Sequence, residues 1–345
     1  MIYSKKKILI VNLGGMGDFL LSCPAVKALR EYYQGAEIVL LTLARTKPVA
    51  GAFAYFDQII AFDFSFWGAF KQALTLRRRD FDLALNMRTL VSCPGALKMA
   101  FLFYLIGAKL RAGRDTSGRG FFLDIKAPED AVGSLPEYEY DLNTVRALGI
   151  PAEFSLPRLP VRDEDMAYMD NFLKTRNIDP ADMLIGINPF APWLSKCWPI
   201  GNFAALIKAL RKEFSCKIVI TGSSDEVEKA LRLQDLAGAE LAIASGETTF
   251  GQLAALIKRC SLYITNDTGP MHIAAILQAP LVALFGGGYL KRFDPRNISK
   301  KAIVFHKDAH CAPCDKVNCD SMKCLKEITP DEVMAAARSL LGCSR

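Results

Sequence analysis

The stretch Ser261–Gly288, SLYITNDTGPMHIAAILQAPLVALFGGG, limits the possible folds of this chain more than any other. Ser261–Thr265 and Pro280–Phe285 are short apolar runs rich in β-branched and aromatic residues, which is typical of buried parallel strands. Met271–Gln278 between them is long enough for a two-turn helix. The stretch therefore predicts a strand–helix–strand unit of a parallel sheet.

The residues that join the first strand to this helix carry more polar groups than a turn needs. Thr268 offers a hydroxyl for an N-cap, Gly269 loosens the turn and Pro270 suits the first helical position. A helix that begins directly after a strand presents unpaired N–H groups, which attract anions, and His272 adds a further donor. An ordinary, well-capped βαβ unit remains the alternative, although Asn266-Asp267-Thr268 favours a binding site.

Length, composition and charge narrow the class of protein. A chain of 345 residues with 51% apolar residues is long enough for two domains. The net charge of +7 favours an anionic partner, but no nucleic-acid-binding motif is present. The apolar run Met99–Ala108 is too short to span a bilayer and the amino-terminal segment does not resemble a signal peptide. We therefore expect a soluble, cytoplasmic protein.

The first half begins with a predicted strand, Lys7–Leu13, followed by Gly14-Gly15-Met16-Gly17-Asp18. This run lacks the third glycine of the dinucleotide-binding fingerprint, so we interpret it as a tight turn. The turn places Asp18 at the carboxyl edge of the sheet. A role as helix N-cap is the alternative for Asp18.

Strands and helices continue to alternate along both halves. The proline-containing segment Ile150–Arg162 predicts the connection between two domains, 1–165 and 166–345, and the last helix could pack back on the first domain. This pattern predicts an α/β protein with two doubly wound Rossmann-like domains facing a central cleft.

NDTGPMHIAA followed by PLVALFG resembles the donor-binding signature of the ADP-heptose:lipopolysaccharide heptosyltransferase family, glycosyltransferase family 9. Lys-x-Trp-Pro at Lys196, and a glycine-aspartate at Asp18, resemble two further family motifs. The resemblance implies the GT-B fold and an inverting glycosyltransferase that moves a heptose, or a related sugar, from an ADP-sugar such as ADP-heptose to the lipopolysaccharide inner core. It implies that Asp18 is the general base. It also implies that one set of residues binds the donor: Lys196, Ser195, Ser224, Asp267, Thr268, Gly269 and His272.

The sequence departs from the family beside Lys196, where Phe190, Ala191 and Pro192 replace the small or hydroxyl residues that relatives commonly carry. Ser195 is the remaining hydroxyl of that loop, and Ser224 takes the place of a ribose-binding glutamate. The resemblance therefore identifies the family but does not fix the sugar or the nucleotide of the donor.

The acceptor partner is expected to be a lipid A–inner core molecule at the inner leaflet of the cytoplasmic membrane, with the protein peripheral to that membrane. Arg111–Gly120, RAGRDTSGRG, is predicted to be a flexible basic loop, so Arg111, Arg114 and Arg119 are candidates for contacts with acceptor phosphates. Aromatic residues between Phe62 and Phe70, and those in Met99–Ile106, are assigned to the core in preference to a lipid-facing surface.

No metal or other cofactor is expected. Asp80-Phe81-Asp82 matches a metal-binding DxD, but it begins a strand instead of ending one. Cys311, Cys314, Cys319 and Cys324 have one pair with zinc-like spacing, and structural thiols are preferred to zinc.

Two other classes of function remain open. A GT-B sugar-nucleotide epimerase or hydrolase would need more carboxylates near the sugar than Asp18 and Asp267. A catalytically idle, membrane-associated binding protein would not need to retain Asp18, Lys196 and His272 together.

Overall fold

The computed structural model describes residues 6–130, 132–314 and 316–342. The chain divides into two compact units, Met1–Pro157 and Arg158–Arg345. Residue 165, where the sequence suggested the division, lies inside a helix of the second unit, Asp163–Lys174. Each unit contains one six-stranded parallel sheet, which is the doubly wound α/β arrangement that the sequence predicts.

The first unit has strand order β3-β2-β1-β4-β5-β6. Its strands are β1 (Lys7–Asn12), β2 (Glu37–Thr42), β3 (Gln58–Ala61), β4 (Leu83–Asn86), β5 (Leu110–Thr116) and β6 (Ile125–Glu129). Its helices are α1 (Met16–Tyr32), α2 (Lys47–Gly51), α3 (Phe66–Arg77), α4 (Cys93–Ile106) and α5 (Glu137–Arg146). Because the central strands are covered on both faces, residues 8–12 of β1 are all buried.

The second unit has strand order β12-β11-β10-β7-β8-β9. Its strands are β7 (Met183–Asn188), β8 (Cys216–Ile220), β9 (Ala242–Ile243), β10 (Leu262–Asn266), β11 (Leu281–Phe285) and β12 (Ala302–His306). Its helices are α6 (Asp163–Lys174), α7 (Ile200–Glu213), α8 (Val227–Ala237), α9 (Phe250–Arg259), α10 (Gly269–Ile276), α11 (Leu290–Phe293), α12 (Lys323–Lys326) and α13 (Pro330–Leu340). The carboxyl-terminal helix α13 packs on α7 and β11 of its own unit.

The prediction of a flexible loop over Arg111–Gly120 is wrong, because residues 110–116 form β5. β5 pairs with both β4 and β6, and its charged side chains are matched by acidic groups of neighbouring elements. The charged residues of this segment do not match the apolar pattern of a buried strand, so its sequence predicts a loop.

The assignment of the first-half aromatic residues to the core is also wrong for many of them. Phe66 and Trp67 of α3, and Phe101 and Tyr104 of α4, are exposed over half or more of their surface. Phe64, just before α3, is 70% exposed. Among the described residues, no helix combines the length and the apolar character that crossing a bilayer requires.

Candidate active site

The first candidate site lies where β1 ends. The side-chain oxygen of Asn12 accepts from the Gly14 N–H at 3.1 Å, and the Thr46 hydroxyl donates to the Gly14 carbonyl at 2.9 Å. These two bonds fix the glycine turn before α1. Gly15 is the N-cap of α1, so the alternative that Asp18 is the N-cap is not what the structure contains.

Asp18 instead occupies the first turn of α1, where the helix dipole favours a carboxylate. Its Oδ2 accepts from the Gly15 N–H at 2.9 Å, and its Oδ1 lies 2.6 Å from Nη1 of Arg88. The side chain retains an exposed fraction of 22%, so the carboxylate is oriented by the protein and still accessible. This combination suits a general base.

Behind Arg88 is a group of buried charges, which we call the acidic cluster: Arg114, Glu129, Glu137 and Asp141. Arg114 Nη1 lies 3.0 Å from Glu137 and 3.7 Å from Glu129, and its Nη2 donates to Asp141 at 2.6 Å. All four side chains are at most 1% exposed. Burial alone would lower the pKa of Arg114, but Asp141, Glu137 and Glu129 outweigh burial and raise it.

Asp141 is the unusual titrating group of the acidic cluster. Burial raises its pKa to about 7, even though the charge of Arg114 acts in the opposite direction. The cluster holds three carboxylates around one guanidinium, so full ionisation would leave excess negative charge in a buried region.

The three arginines proposed for acceptor contacts have different environments. Arg114 is buried in the acidic cluster, so it is a structural residue and the prediction of a surface contact is wrong for it. Arg111 forms a two-nitrogen pair with Asp124, at 3.0 and 2.7 Å. Arg119 lies 3.4 Å from the backbone carbonyls of Leu90 and Thr116 and remains partly exposed.

The second candidate site is the carboxyl edge of the second sheet. Nζ of Lys196 donates to Asp267 at 2.6 Å, which joins the Lys-x-Trp-Pro loop to the residues before α10. Buried Trp198 fixes this loop, since its backbone N–H donates to Asn266 at 3.0 Å and its indole N–H to the Ile328 carbonyl at 2.9 Å. The two motifs that the sequence singled out are thus in direct contact.

Thr268, Gly269 and His272 surround the start of α10. Thr268 is the N-cap by position, but its hydroxyl lies 3.4 Å from the Asn266 carbonyl and makes no cap hydrogen bond, in contrast to the sequence prediction. Gly269 begins the helix, and His272 is buried with its ring 6.3 Å from that of Phe293. The first N–H groups of α10 therefore have no side-chain cap from Thr268.

The two serines have separate environments. Ser195 is buried and its hydroxyl donates to the Lys316 carbonyl, which ties it to the segment after β12. Ser224 is exposed and begins the short helix that follows β8. β8 neighbours β7, so Ser224 lies on the same carboxyl edge but two strands away from β10.

Comparison with known proteins decides the family. Residues 68–325 match glycosyltransferase family 9 (heptosyltransferase). The chain belongs to glycosyltransferase family 9. The sequence resemblance is thereby confirmed, and the protein is a glycosyltransferase.

Relatives of this family 9 chain match it over nearly its whole length. It is 28% identical over 336 residues to lipooligosaccharide heptosyltransferase 2 of Campylobacter jejuni, which covers 94% of this chain and 95% of that one. It is 26% identical over 357 residues to lipopolysaccharide heptosyltransferase 2 of Escherichia coli, covering 97% and 98%. The solved structure of E. coli ADP-heptose lps heptosyltransferase II has a TM-score of 0.77 at 24% identity, over 97% and 98% of the two chains. That likeness confirms the predicted fold class.

Three buried polar residues lie at strand ends of the second sheet of this family 9 protein, and the sequence analysis singled out only Asn266 among them. They are Asn188 at the end of β7, Asn266 at the end of β10 and Ser245 just after β9. Among the described residues, Oδ1 of Asn188, Nδ2 of Asn266 and Oγ of Ser245 are buried and find no hydrogen-bond partner. Such atoms are costly unless a ligand or water completes them. A polar residue at the end of an apolar strand is the sequence signal that could have indicated Asn188 and Ser245.

The metal-binding alternatives are the pair Asp80 and Asp82 and the four cysteines that follow β12. Asp80 and Asp82 lie before β4 and pair with Lys109 at 3.2 and 3.0 Å. Cys311, Cys314, Cys319 and Cys324 are free thiols. Within the part of the chain that the structure describes, no group of three or more potential ligands is placed to hold a metal ion.

Proposed function

We propose that this glycosyltransferase transfers a heptose from ADP-heptose to the lipopolysaccharide inner core with inversion at the anomeric carbon. The observation that carries the proposal is the match of residues 68–325 to a family described as heptosyltransferase. The names of its relatives agree, since two of them are heptosyltransferases of lipooligosaccharide and lipopolysaccharide.

The donor binds at the carboxyl edge of the second sheet in this proposal. The N-terminus of α10 and the Lys196 ammonium supply positive charge for a diphosphate. Binding requires Lys196 to share its charge between Asp267 and the phosphate. Asn188, Asn266 and Ser245 offer buried polar atoms for the remaining polar groups of the donor.

Asp18 accepts the proton of the acceptor hydroxyl as that oxygen forms its bond to the anomeric carbon. The bond between the anomeric carbon and the diphosphate breaks on the opposite face, and ADP leaves as an anion. Lys196 and the α10 terminus stabilise the charge that grows on the leaving diphosphate. The Gly15 N–H and the Arg88 guanidinium hold this carboxylate, and its remaining exposure leaves it accessible to an acceptor hydroxyl.

The test is a transfer assay with ADP-heptose and purified heptose-deficient lipopolysaccharide core, in which mass spectrometry detects the product. We expect addition of one heptose and release of ADP. Release of ADP without a glycosylated acceptor would identify a hydrolase. An isomerised ADP-sugar would identify an epimerase, and no reaction with either substrate would contradict the proposal.

We also propose that turnover needs no divalent metal, because fixed positive groups at the donor edge can carry the charge of the leaving group. Exhaustive EDTA treatment should leave the transfer rate unchanged. Loss of activity that Mg²⁺ or Mn²⁺ restores would contradict this part of the proposal.

We further propose that the protein is peripheral to the inner leaflet of the cytoplasmic membrane and binds it through the α3–α4 surface, defined by Phe66, Trp67, Leu97, Phe101 and Tyr104. These side chains are exposed, and α3 packs on α4. Neither helix contains an acidic residue. Exposed basic residues also occur there, namely Lys71, Arg77 and Lys98. Aromatic residues beside basic ones suit an interface with anionic lipid.

Sedimentation with vesicles tests this surface. The wild-type protein should sediment with phosphatidylglycerol vesicles in low salt, and less with phosphatidylcholine vesicles. The double variant Trp67→Ser, Phe101→Ser should lose this binding, whereas Tyr168→Ser, an exposed aromatic residue of the second unit, should not. Equal sedimentation of all three proteins would exclude the α3–α4 surface.

A further inference from the structure

Arg88 lies between the proposed general base and the acidic cluster. It follows β4, and its Nη1 lies 2.6 Å from Asp18 and 4.0 Å from Glu137. Its side chain has an exposed fraction of 24%, whereas Glu137 is 1% exposed. One guanidinium therefore connects a partly accessible carboxylate to a buried one.

The backbone of Arg88 is fixed by the end of β4. Nδ2 of Asn86 donates to the Arg88 carbonyl at 2.8 Å, and Oδ1 of Asn86 accepts from the Arg88 N–H at 3.3 Å. Asn86 is buried in the sheet. The guanidinium consequently extends from a rigid position.

The glycine turn leaves room for this guanidinium. A Cβ at Gly14 would lie 2.8 Å from Nη1 of Arg88 and 2.7 Å from Cβ of Asp18. Real Cβ atoms do not approach other atoms so closely, so any larger residue at this position would push Arg88 and Asp18 from their places. Gly14 is thus required for space beside the ion pair.

The acidic cluster affects the charge state and the position of the Arg88 guanidinium. Burial alone would lower the pKa of Arg88, but the charges of Asp18 and Glu137 outweigh burial and raise it. Glu137 is itself paired with Arg114, which also contacts Asp141. The guanidinium remains charged and is anchored from its buried side.

We propose that Arg88 is a positioning residue for Asp18, whose carboxylate it fixes through one oxygen while the Gly15 N–H fixes the other. This inference rests on the proposed role of Asp18 as general base. Arg88 acts through Asp18 and neither makes nor breaks a bond in the proposed reaction. It restricts rotation of the carboxylate and, as a neighbouring cation, favours the ionised form of Asp18.

The kinetic test compares Arg88→Gln and Arg88→Lys with the control Arg232→Gln, an exposed arginine of α8. Arg88→Gln should lower kcat about tenfold to a hundredfold, because a misdirected base is a poor one. It should leave the KM for ADP-heptose unchanged, since the proposed donor residues belong to the second sheet. Arg88→Lys should recover part of the rate, because it restores the charge but not the planar fork.

The acid limb of the kcat profile gives a readout that a purely structural role would not move. Without the cation beside it, Asp18 takes up a proton at higher pH, so this limb should shift upward by about one pH unit or more. A fall in kcat with an unmoved acid limb and an equal loss in Arg88→Lys would overturn the proposal.

A direct titration separates failure of this inference from failure of the proposed function. The ¹³C resonance of the Asp18 carboxyl, assigned by its absence in Asp18→Asn, can be followed with pH in protein that carries no substrate. Its midpoint should rise in Arg88→Gln, and also in Gly14→Ala, which retains both charges but separates them. An unchanged midpoint in both variants would refute the inference, whether or not the protein transfers heptose.

Discussion

The carboxyl edges of the two sheets differ in how their buried polar side chains are paired. In the first unit, carboxylates and guanidinium groups are paired with one another, from Asp18 through Arg88 to the acidic cluster. In the second unit, the edge has one lysine–aspartate pair and several neutral polar atoms, three of which find no protein partner among the described residues. The two sheets share a topology, but their edges differ in the polar atoms that remain for a ligand to contact.

This difference fits the two roles proposed for the edges, positioning of the base and binding of the donor. An edge whose charged groups form ion pairs with one another holds those groups in place, which suits the positioning of a base. An edge with uncompensated polar atoms gains free energy when a ligand supplies the missing partners, which suits the binding of a nucleotide sugar. Variants at each edge should therefore fail in different measurements.

The largest expected effect is on stability, from Arg114→Met. Loss of this guanidinium removes the cation that three buried carboxylates share, so the free energy of unfolding should fall by roughly 3–5 kcal/mol. Urea denaturation measures this loss. The matched control is Arg111→Met on the same strand, whose exposed pair with Asp124 should cost at most about 1 kcal/mol. Equal losses would mean that the cluster is not a buried ionic unit.

Asp18→Asn should abolish catalysis while it spares binding. Asparagine retains an oxygen that can accept from the Gly15 N–H, so the variant should melt within a few degrees of wild type. The amide cannot take up the acceptor proton, so transfer should slow at least about a hundredfold. Donor affinity, measured by calorimetric titration with ADP, should not change. Near-normal transfer would require another base.

Lys196→Ala should show the opposite behaviour, with weak donor binding. The ammonium is expected to make a charge-assisted contact with the diphosphate, so ADP affinity should fall by roughly 1.5–3 kcal/mol. The unpaired charge of Asp267 adds repulsion. Lys208→Ala on the exposed face of α7 is the control and should bind ADP normally. Equal affinities for wild type and Lys196→Ala would remove Lys196 from the site.

The two edges also differ in how far the sequence predicted them. The strand–turn–helix unit of the second edge was predicted because its signals are local: an apolar strand, Thr268-Gly269-Pro270 and a helix follow one another directly. The contact between Lys196 and Asp267 joins residues that are 71 positions apart, but both belong to recognisable motifs. Local chemistry was enough to predict that both residues belong to the same edge of the sheet.

The acidic cluster could not be foreseen in the same way. Its members come from β5, β6 and α5, and β5 was mistaken for a loop because its charges resemble solvated surface. Whether an arginine is buried depends on carboxylates far along the chain, which no periodicity reveals. Arg88 was missed for the same reason, because its importance depends on its contacts with Asp18 and Glu137. Exposure of Trp67 and Phe101 likewise depends on what covers a helix, not on its sequence.

The smallest expected effect concerns pH and Asp141. Burial raises its folded-state pKa to about 7, while an unfolded aspartate titrates near about 3.9. Between these values the folded protein holds a proton that the unfolded chain has lost. The stabilisation from this group is therefore complete below the lower value and disappears as the pH rises through the upper one.

Asparagine at this position cannot titrate, so the melting temperature of wild type minus that of Asp141→Asn should fall by at least about 2 °C between pH 5 and pH 8. In Asp124, the hydrogen bond from Arg111 lowers the pKa instead, so this carboxylate stays ionised across the same range. The corresponding difference for Asp124→Asn should stay flat, and a flat difference for Asp141→Asn as well would show that the acidic cluster holds no extra proton.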